Sequence, residues 1–155
     1  MPRLALRLAS TLSCVYLCAC YGYRPPAPPI PTSEQPVNAS FAKTWDAVID
    51  LFSEQNISIA TIERASGLIV AAPAYTGTSL SNGLEYADCG TINRLPILPN
   101  RVNYNVRVKG DSTRSTLRVN VVFLSLWDKA SYECSTKNVW EKNVWARIAA
   151  KAEGR

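Results

Sequence analysis

Cysteines and carboxylates are the residues of this sequence that could carry chemistry, because the 155-residue chain contains no histidine. Without histidine there is no Ser-His or Cys-His catalytic pair, and the commonest metal ligand is missing. The carboxylates are scattered, with Glu85 and Asp88 in one loop and Asp128 and Glu133 flanking the last predicted strand. The chain has no G-x-S-x-G, no S-x-x-K, no phosphate-binding glycine loop and no metal-ligand cluster. We expect a non-enzyme without metal or cofactor; two facing acids, as in a glycosidase, are the alternative that spacing leaves open.

Three of the five cysteines lie in the first twenty residues, in a segment typical of an export signal. Met1 to Arg7 is basic, and the apolar stretch Leu8 to Ala19 is shorter than the ~20 residues that span a bilayer. The junction Leu17-Cys18-Ala19-Cys20 resembles the signal of bacterial lipoproteins, with a branched apolar residue three before the cysteine and a small residue directly before it. The resemblance implies a signal peptide over 1–19, cleavage before Cys20 and covalent lipid, including palmitate, on that cysteine.

The same resemblance implies a location. Tyr21 follows Cys20, and in lipoproteins of Gram-negative bacteria a residue other than aspartate at this position generally implies the outer membrane. We therefore expect a lipid-anchored protein of the cell envelope, at the outer membrane and facing the periplasm. The alternatives are an ordinary cleaved export signal and an uncleaved N-terminal anchor.

Cys89 and Cys134 are the two cysteines that remain after lipidation of Cys20. An even number of cysteines in an exported protein predicts a disulfide bond. The alternative is two buried thiols. The mature cysteines have no C-x-x-C spacing, which argues against redox catalysis and metal binding.

Basic and amide side chains alternate with apolar ones along two predicted strands. Strand parity, and pairing across the turn at Gly110, bring them onto one face of a sheet. This cationic, hydrogen-bonding face is the candidate binding face, able to contact anionic lipid, an anionic polymer or an acidic protein surface. The alternative is a solvated sheet surface. Its residues are Arg101, Asn103, Asn105, Arg107, Lys109, Arg118 and Asn120.

Two segments connect these features. Residues 20–36 are rich in proline, which fixes φ and removes donors, so we expect a lipidated, semi-rigid spacer that holds the domain away from the bilayer. A proline-rich recognition ligand is the alternative. Residues 73–100 exceed the ~12 to 15 residues usual for structureless loops, so they form either a binding element or an insertion stapled by Cys89. Its larger apolar side chains form a contact surface in the first case and a packing cluster of the loop in the second; they are Tyr75, Leu80, Leu84 and Tyr86.

The remaining elements belong to a globular domain over 37–155. Apolar spacing predicts a helix over 41–55 capped by Ser40, and a closing helix from Asn138 with a capping box to Glu141. Two hairpins lie between them, 57–62 with 68–72 turning at Gly67, and 101–109 with 116–123. Trp127 is predicted to be an exposed contact. This order predicts an α+β fold of two layers, an antiparallel sheet of four to five strands with two helices on one face and one disulfide.

The order of elements is similar to the helix-grip domains found in an accessory lipoprotein of the outer-membrane β-barrel assembly machine. The resemblance rests on the Trp45 helix, the Ser66-Gly67 turn and the helix from Asn138. It implies a binding or accessory subunit of an envelope assembly or secretion complex, with the membrane and an envelope protein as partners.

Two other functions stay open. One is direct binding of an anionic envelope polymer or lipid through the candidate face. The other is a conjugation or secretion-channel lipoprotein. The net charge of +5 includes Arg3 and Arg7 of the leader, and an exported protein without a nucleic-acid motif is not expected to bind nucleic acid. No small-molecule substrate is evident.

Overall fold

A computed structural model describes residues 22–75, 83–127 and 129–155. Cys20 and its signal therefore lie outside the described residues, as does Leu80. Within the described ranges, no helix is long and apolar enough to cross a membrane. The helices are α1 (Phe41–Glu54), α2 (Gly83–Tyr86) and α3 (Val139–Ala152); the strands are β1 (Tyr23–Arg24), β2 (Gln35–Val37), β3 (Ile59–Glu63), β4 (Leu68–Ala71), β5 (Ala74–Tyr75), β6 (Ala87–Asp88), β7 (Thr91–Ile92), β8 (Leu95–Pro96), β9 (Arg101–Gly110), β10 (Ser115–Trp127) and β11 (Ala130–Thr136).

The fold is α+β, as predicted, with a large antiparallel sheet. The main path of the sheet runs β3-β4-β9-β10-β11-β6, with β2 paired to β10 and β5 paired to β9. A second, three-stranded sheet has the order β1-β7-β8. The prediction of four to five strands is therefore wrong, since the large sheet alone has eight. Most of the strands that we missed have two or three residues, too few for a period-two pattern to be recognised.

Helix α1 begins and ends close to its predicted bounds. The side-chain oxygen of Ser40 accepts a hydrogen bond from the Lys43 amide at 3.4 Å, which caps the first turn. Trp45, Val48 and Phe52 are buried on one face, as their spacing requires. Phe52 packs edge-on against Tyr104 of β9, with ring centroids 5.3 Å apart. Burying one such side chain contributes about 2 to 3 kcal/mol, so this helix is a main part of the core.

The β3–β4 hairpin turns at Gly67, which has the positive φ, 69°, expected of it. A Cβ at this position would lie 1.9 Å from the carbonyl oxygen of Val108 in β9. Only glycine therefore lets the turn approach β9 so closely. The carbonyl of Gly67 accepts the Val108 amide at 2.8 Å, which fixes the hairpin to the long strand.

Strands β9 and β10 form the long central hairpin, in register from Ser115 opposite Gly110 to Leu124 opposite Arg101. Their inner face is buried, with Val106, Val108 and Leu117 at most 1% exposed. Helices α1 and α3 contact each other, and both contact this hairpin. The helices α1 and α3 therefore cover one side of the sheet, and the other side carries the candidate binding face.

Helix α3 starts where the sequence predicts, but its capping box does not form. Asn138 has a left-handed backbone, φ 58°, and makes no side-chain cap bond. The Glu141 carboxylate accepts from Thr136 Oγ1 at 2.6 Å, and the same Oγ1 accepts the Asn138 amide at 3.1 Å. The prediction of a capping box was wrong because Thr136, at the end of β11, competes for both groups.

The proline-rich segment differs from the free spacer that its composition predicts. It is extended, but it lies along the edge of the domain from β1 to β2. Proline removes amide donors and leaves carbonyls, and these carbonyls accept bonds from the domain. Ser135 Oγ donates to the Ala27 carbonyl, and Asn138 Nδ2 donates to the Ile30 carbonyl. In addition, the hydroxyl of Thr32 in the segment donates to Asn120 Oδ1 of the domain.

Candidate binding surfaces

All seven residues of the candidate binding face lie on the outer side of the β9–β10 hairpin. The register places Arg118 directly opposite Arg107 and Asn120 directly opposite Asn105. Lys109 is opposite Thr116, and Asn103 is opposite Val122, which is 42% exposed. Strand parity and pairing across the turn at Gly110 together predicted this arrangement. We call this surface the arginine face; it consists of Arg101, Asn103, Asn105, Arg107, Lys109, Arg118 and Asn120.

Hydrogen bonds hold two of the amides of the arginine face, Asn105 and Asn120, in fixed orientations. Asn120 Nδ2 donates to Asn105 Oδ1 at 2.9 Å, and Arg118 Nε donates to Asn120 Oδ1 at 3.1 Å. Thr32 Oγ1 of the proline-rich segment donates to the same oxygen at 2.8 Å. The centre of the face is therefore a connected polar network, whereas Asn103 Oδ1 and Arg101 Nε are buried without a hydrogen-bond partner in the described part of the chain.

Lys109 of the arginine face forms a salt bridge, whereas Arg107 and Arg118 form none with the described residues. Lys109 Nζ is 2.7 Å from Glu34 Oε1, and this hydrogen bond is the main cause that holds the pKa of Glu34 below its ordinary value. Among the described residues, no carboxylate lies within salt-bridge distance of Arg107 or Arg118. Like charges directly opposite each other destabilise a sheet. The two arginines are therefore the part of the face where an added negative charge would be most favourable.

Arg101 stands apart from the rest of the arginine face. Its guanidinium carbon is 4.1 Å from the centroid of the Tyr75 ring, a cation–π contact. Tyr75 belongs to β5, which pairs with the first residues of β9. Arg101 thus marks the boundary between the arginine face and an apolar region at the end of the hairpin.

This apolar region contains a groove of about 490 Å³ lined by Tyr75, Leu98, Leu126 and Trp127, among others. Trp127 is 58% exposed, as predicted, and its role as a contact stays a prediction. Tyr75 is 72% exposed, which favours the contact-surface alternative for this residue, whereas Tyr86 is partly buried against the core. We give the name apolar end to the exposed apolar side chains of the groove together with those of β1 and β8, the outer strands of the small sheet; they are Tyr23, Tyr75, Leu95, Leu98 and Trp127.

One asparagine fixes the groove. The Asn100 amide donates to the Leu124 carbonyl at 2.9 Å, continuing the ladder beyond β9. Its side chain donates to the Leu126 carbonyl and accepts the Leu126 amide, both at 2.9 Å. An asparagine side chain can replace a backbone pair in this way because it carries both a donor and an acceptor. No sequence pattern indicates this role, nor the roles of Leu95 and Leu98.

A disulfide bond joins Cys89 and Cys134, as predicted, and both residues are buried. It attaches the start of the β7–β8 hairpin to β11. The carbonyl of Gly90 accepts the Ile97 amide at 3.0 Å and closes the base of this hairpin. The described part of loop 73–100 is therefore organised by the staple and by short strands.

Glu141, in the first turn of α3, is the buried carboxyl of the described residues and is 5% exposed. Burial raises its pKa, against the hydrogen bond from Thr136, which lowers it. It lies beside a second cavity of about 450 Å³, between α3, β10 and residues 31–35. Among the described residues, no cluster of three or more His, Cys, Asp or Glu could hold a metal ion.

Comparison with known proteins adds no family to this geometry. The chain matches no protein-family model, and no curated protein is similar to it.

Proposed function

We propose that the protein is a lipid-anchored, non-catalytic binding subunit of an envelope assembly or secretion complex, and that its arginine face binds an acidic segment of a partner protein. The observation that carries this proposal is the pair Arg107 and Arg118, opposite each other on the outer sheet face. No carboxylate of the described residues lies within salt-bridge distance of either, although the charge of Arg118 contributes to the lowered pKa of Glu34. A carboxylate placed between them would relieve their repulsion and accept hydrogen bonds from both.

Accessibility supports the proposal. The long helices α1 and α3 pack against the hairpin from its other side, so the guanidinium groups of Arg107 and Arg118 are exposed. The strands beneath them are paired over ten positions, which holds the backbone of the two arginines directly opposite each other. A partner would therefore meet both arginines on a backbone that needs no rearrangement, which lowers the ordering cost of binding.

The anchor is the second part of the proposal. A basic segment, an apolar stretch and the Leu17-Cys18-Ala19-Cys20 junction support acylation of Cys20 and a location at the outer membrane, facing the periplasm. An acyl chain raises the effective concentration of the arginine face toward other membrane components without any new contact.

The direct experiment reverses the two charges. The variant Arg107→Glu with Arg118→Glu should lose on the order of ten-fold in the yield of a partner crosslinked in intact envelopes, because like charges now meet the acidic segment. The control, Lys43→Glu with Lys142→Glu, makes the same change in net charge on exposed positions of α1 and α3. Equal yields from both variants, at equal protein levels, would rule out the arginine face as the partner site.

An anionic envelope polymer or lipid is the second candidate ligand of the same face. The observation in its favour is the set of amides interleaved with the arginines, Asn105 and Asn120 among them, which can donate to hydroxyl or phosphate oxygens. Salt separates the candidates, because binding to a polyanion weakens steeply with ionic strength, whereas a packed protein interface is less sensitive. A conjugation or secretion-channel lipoprotein would instead copurify with a transport complex.

A further inference from the structure

We propose that the apolar end lies on the bilayer surface, so that the lipid anchor and the apolar end together fix how the domain stands on the membrane. This inference rests on the proposed acylation of Cys20. Its occupant is a phospholipid bilayer with anionic head groups.

The path of the chain supplies the first argument. Tyr23, in β1, follows Cys20 by three residues, and a chain spans at most ~3.6 Å per residue. An acylated Cys20 would therefore hold Tyr23 within about 11 Å of the acyl chains. Strand β1 is itself fixed to β7, with Arg24 opposite Thr91. A Cβ on Gly90 would lie 2.1 Å from the Arg24 carbonyl oxygen, so the two segments meet in close contact.

The small sheet carries apolar side chains away from this attachment point. Tyr23 is opposite Ile92, and Ile92 is opposite Leu95, so the three residues form one row across β1, β7 and β8. Residues in one row of a sheet point to the same face. Ile92, in the middle of this row, packs against the core, whereas Tyr23 and Leu95 at its two ends are 43% and 71% exposed.

The groove continues the same surface. Strand β8 leads directly into Ile97 to Asn100, which line the groove together with Tyr75 and Trp127. Tyr23 packs against Tyr132, whose partner in the ladder is Ser125, another residue of the groove. These contacts place the first described residues, the β7–β8 hairpin and the groove at one end of the molecule. Half of the ten exposed large apolar residues of the described chain are found there.

The chemistry of this end fits a bilayer better than a protein groove. Tyr and Trp rings are enriched at the boundary between head groups and acyl chains, and Tyr23, Tyr75 and Trp127 supply them. Arg24, Arg94 and Lys129 are exposed beside them. Basic side chains next to apolar ones attract anionic head groups while the apolar side chains enter the interface.

This orientation also separates the two surfaces. Arg107 lies six positions beyond Arg101 along β9, or about 20 Å at the rise of a strand, and the β9–β10 turn lies about 30 Å from the groove. Both distances exceed the Debye length of about 8 Å at physiological salt. The Arg107–Arg118 pair would therefore face the periplasm at a height that lipid head groups do not reach.

An environment-sensitive fluorophore at two positions tests the inference. The acylated mature protein, residues 20–155, carries either Leu95→Cys or Ser112→Cys. It is labelled with the Cys89–Cys134 disulfide intact and placed in vesicles of phosphatidylethanolamine and phosphatidylglycerol. Ser112 is an exposed residue of the β9–β10 turn and is the matched control. We expect a blue shift and several-fold weaker iodide quenching at position 95, with no change at position 112. Equal quenching at both positions would overturn the inference.

Two further measurements separate this inference from the anchor. Mass spectrometry of the same sample reports the lipid on Cys20; acylated protein with a solvent-exposed probe at position 95 overturns the inference and leaves the anchor intact. If Cys20 carries no lipid, the anchor fails; the apolar end is then tested on residues 20–155 with Cys20→Ser, which leaves position 95 as the labelled thiol, and a blue shift on the same vesicles supports contact of the apolar end with the bilayer. Adding Leu98→Asp to the labelled Leu95→Cys protein should lower vesicle binding of this unacylated chain about ten-fold, and an unchanged affinity would contradict it.

Discussion

The arginine face and the apolar end are held in place by different means. The arginine face lies on two long strands in continuous register, and hydrogen bonds link Asn105, Asn120 and Arg118 within it. The apolar end is built from two-residue strands, one disulfide and the side chain of Asn100. The first surface is therefore as stable as the core, whereas the second depends on a few local contacts and can be perturbed separately.

Removing the disulfide should cause the largest loss of unfolding free energy, and the region that loses its structure first should be the apolar end. The variant Cys89→Ala with Cys134→Ala frees a loop of sequence separation 45, which in the chain-entropy model costs about 4 kcal/mol of unfolding free energy. Urea denaturation measures this loss. Amide hydrogen exchange should show the β7–β8 hairpin losing protection before β9 and β10.

Wild-type protein under strong reductant is the control for this variant. It should lose the same stability, while reductant should leave the variant unchanged. Uniform loss of protection across both surfaces would contradict the distinction between them.

Gly67→Ala should give the next largest effect, this time beneath the arginine face. The new Cβ would meet the Val108 carbonyl and the backbone would be held at an unfavourable φ, which we expect to cost about 3 kcal/mol of unfolding free energy. Gly154→Ala is the matched control, because Gly154 also has a positive φ, 74°, but has open space around it. The control should lose about 1 kcal/mol in the same denaturation experiment. Equal losses would mean that the contact with β9 is unimportant.

Lowering the pH should cause the smallest loss of unfolding free energy, through the carboxylate of Asp111 in the β9–β10 turn. Amide hydrogen bonds from Arg114 and Thr113 lower the pKa of Asp111 to about 2, from an ordinary value of 3.8. A lowered pKa means that the carboxylate stabilises the fold above pH 3.8 and that this contribution is lost as the pH falls toward 2. Asp111→Asn should therefore differ from wild type most at neutral pH, and the two urea-denaturation profiles should converge near pH 2. Parallel profiles would contradict this assignment.

The sequence predicted the parts of the fold whose patterns are long. Helix α1, the two main hairpins and the shared side of the seven residues of the arginine face follow from apolar spacing over many residues. The disulfide was predicted because two cysteines remain after lipidation of Cys20 and because the chain is expected to be exported. Gly67 was recognised because a tight turn requires a positive φ.

The parts that were missed depend on partners distant in sequence. Composition predicts that the proline-rich segment is extended, but not that Ser135 and Asn138 bind its carbonyls, more than a hundred residues later. Thr136 displaced the predicted capping box in the same way. The groove has no periodic signal, because Leu95 and Leu98 are ordered by Gly90 and Asn100.

The placement of the first described strands ties completion of the fold to completion of the chain. Strand β1 pairs with residues 91–92, and β2 pairs with residues 115–117. The chain is synthesised from its N-terminus. Strands β1 and β2 therefore have no partner strand until residues 91–92 and 115–117 have been added. A product that stops before residue 115 leaves β2 without its neighbour, so that residues 22–36 lose one of the two strand pairings that attach them to the domain.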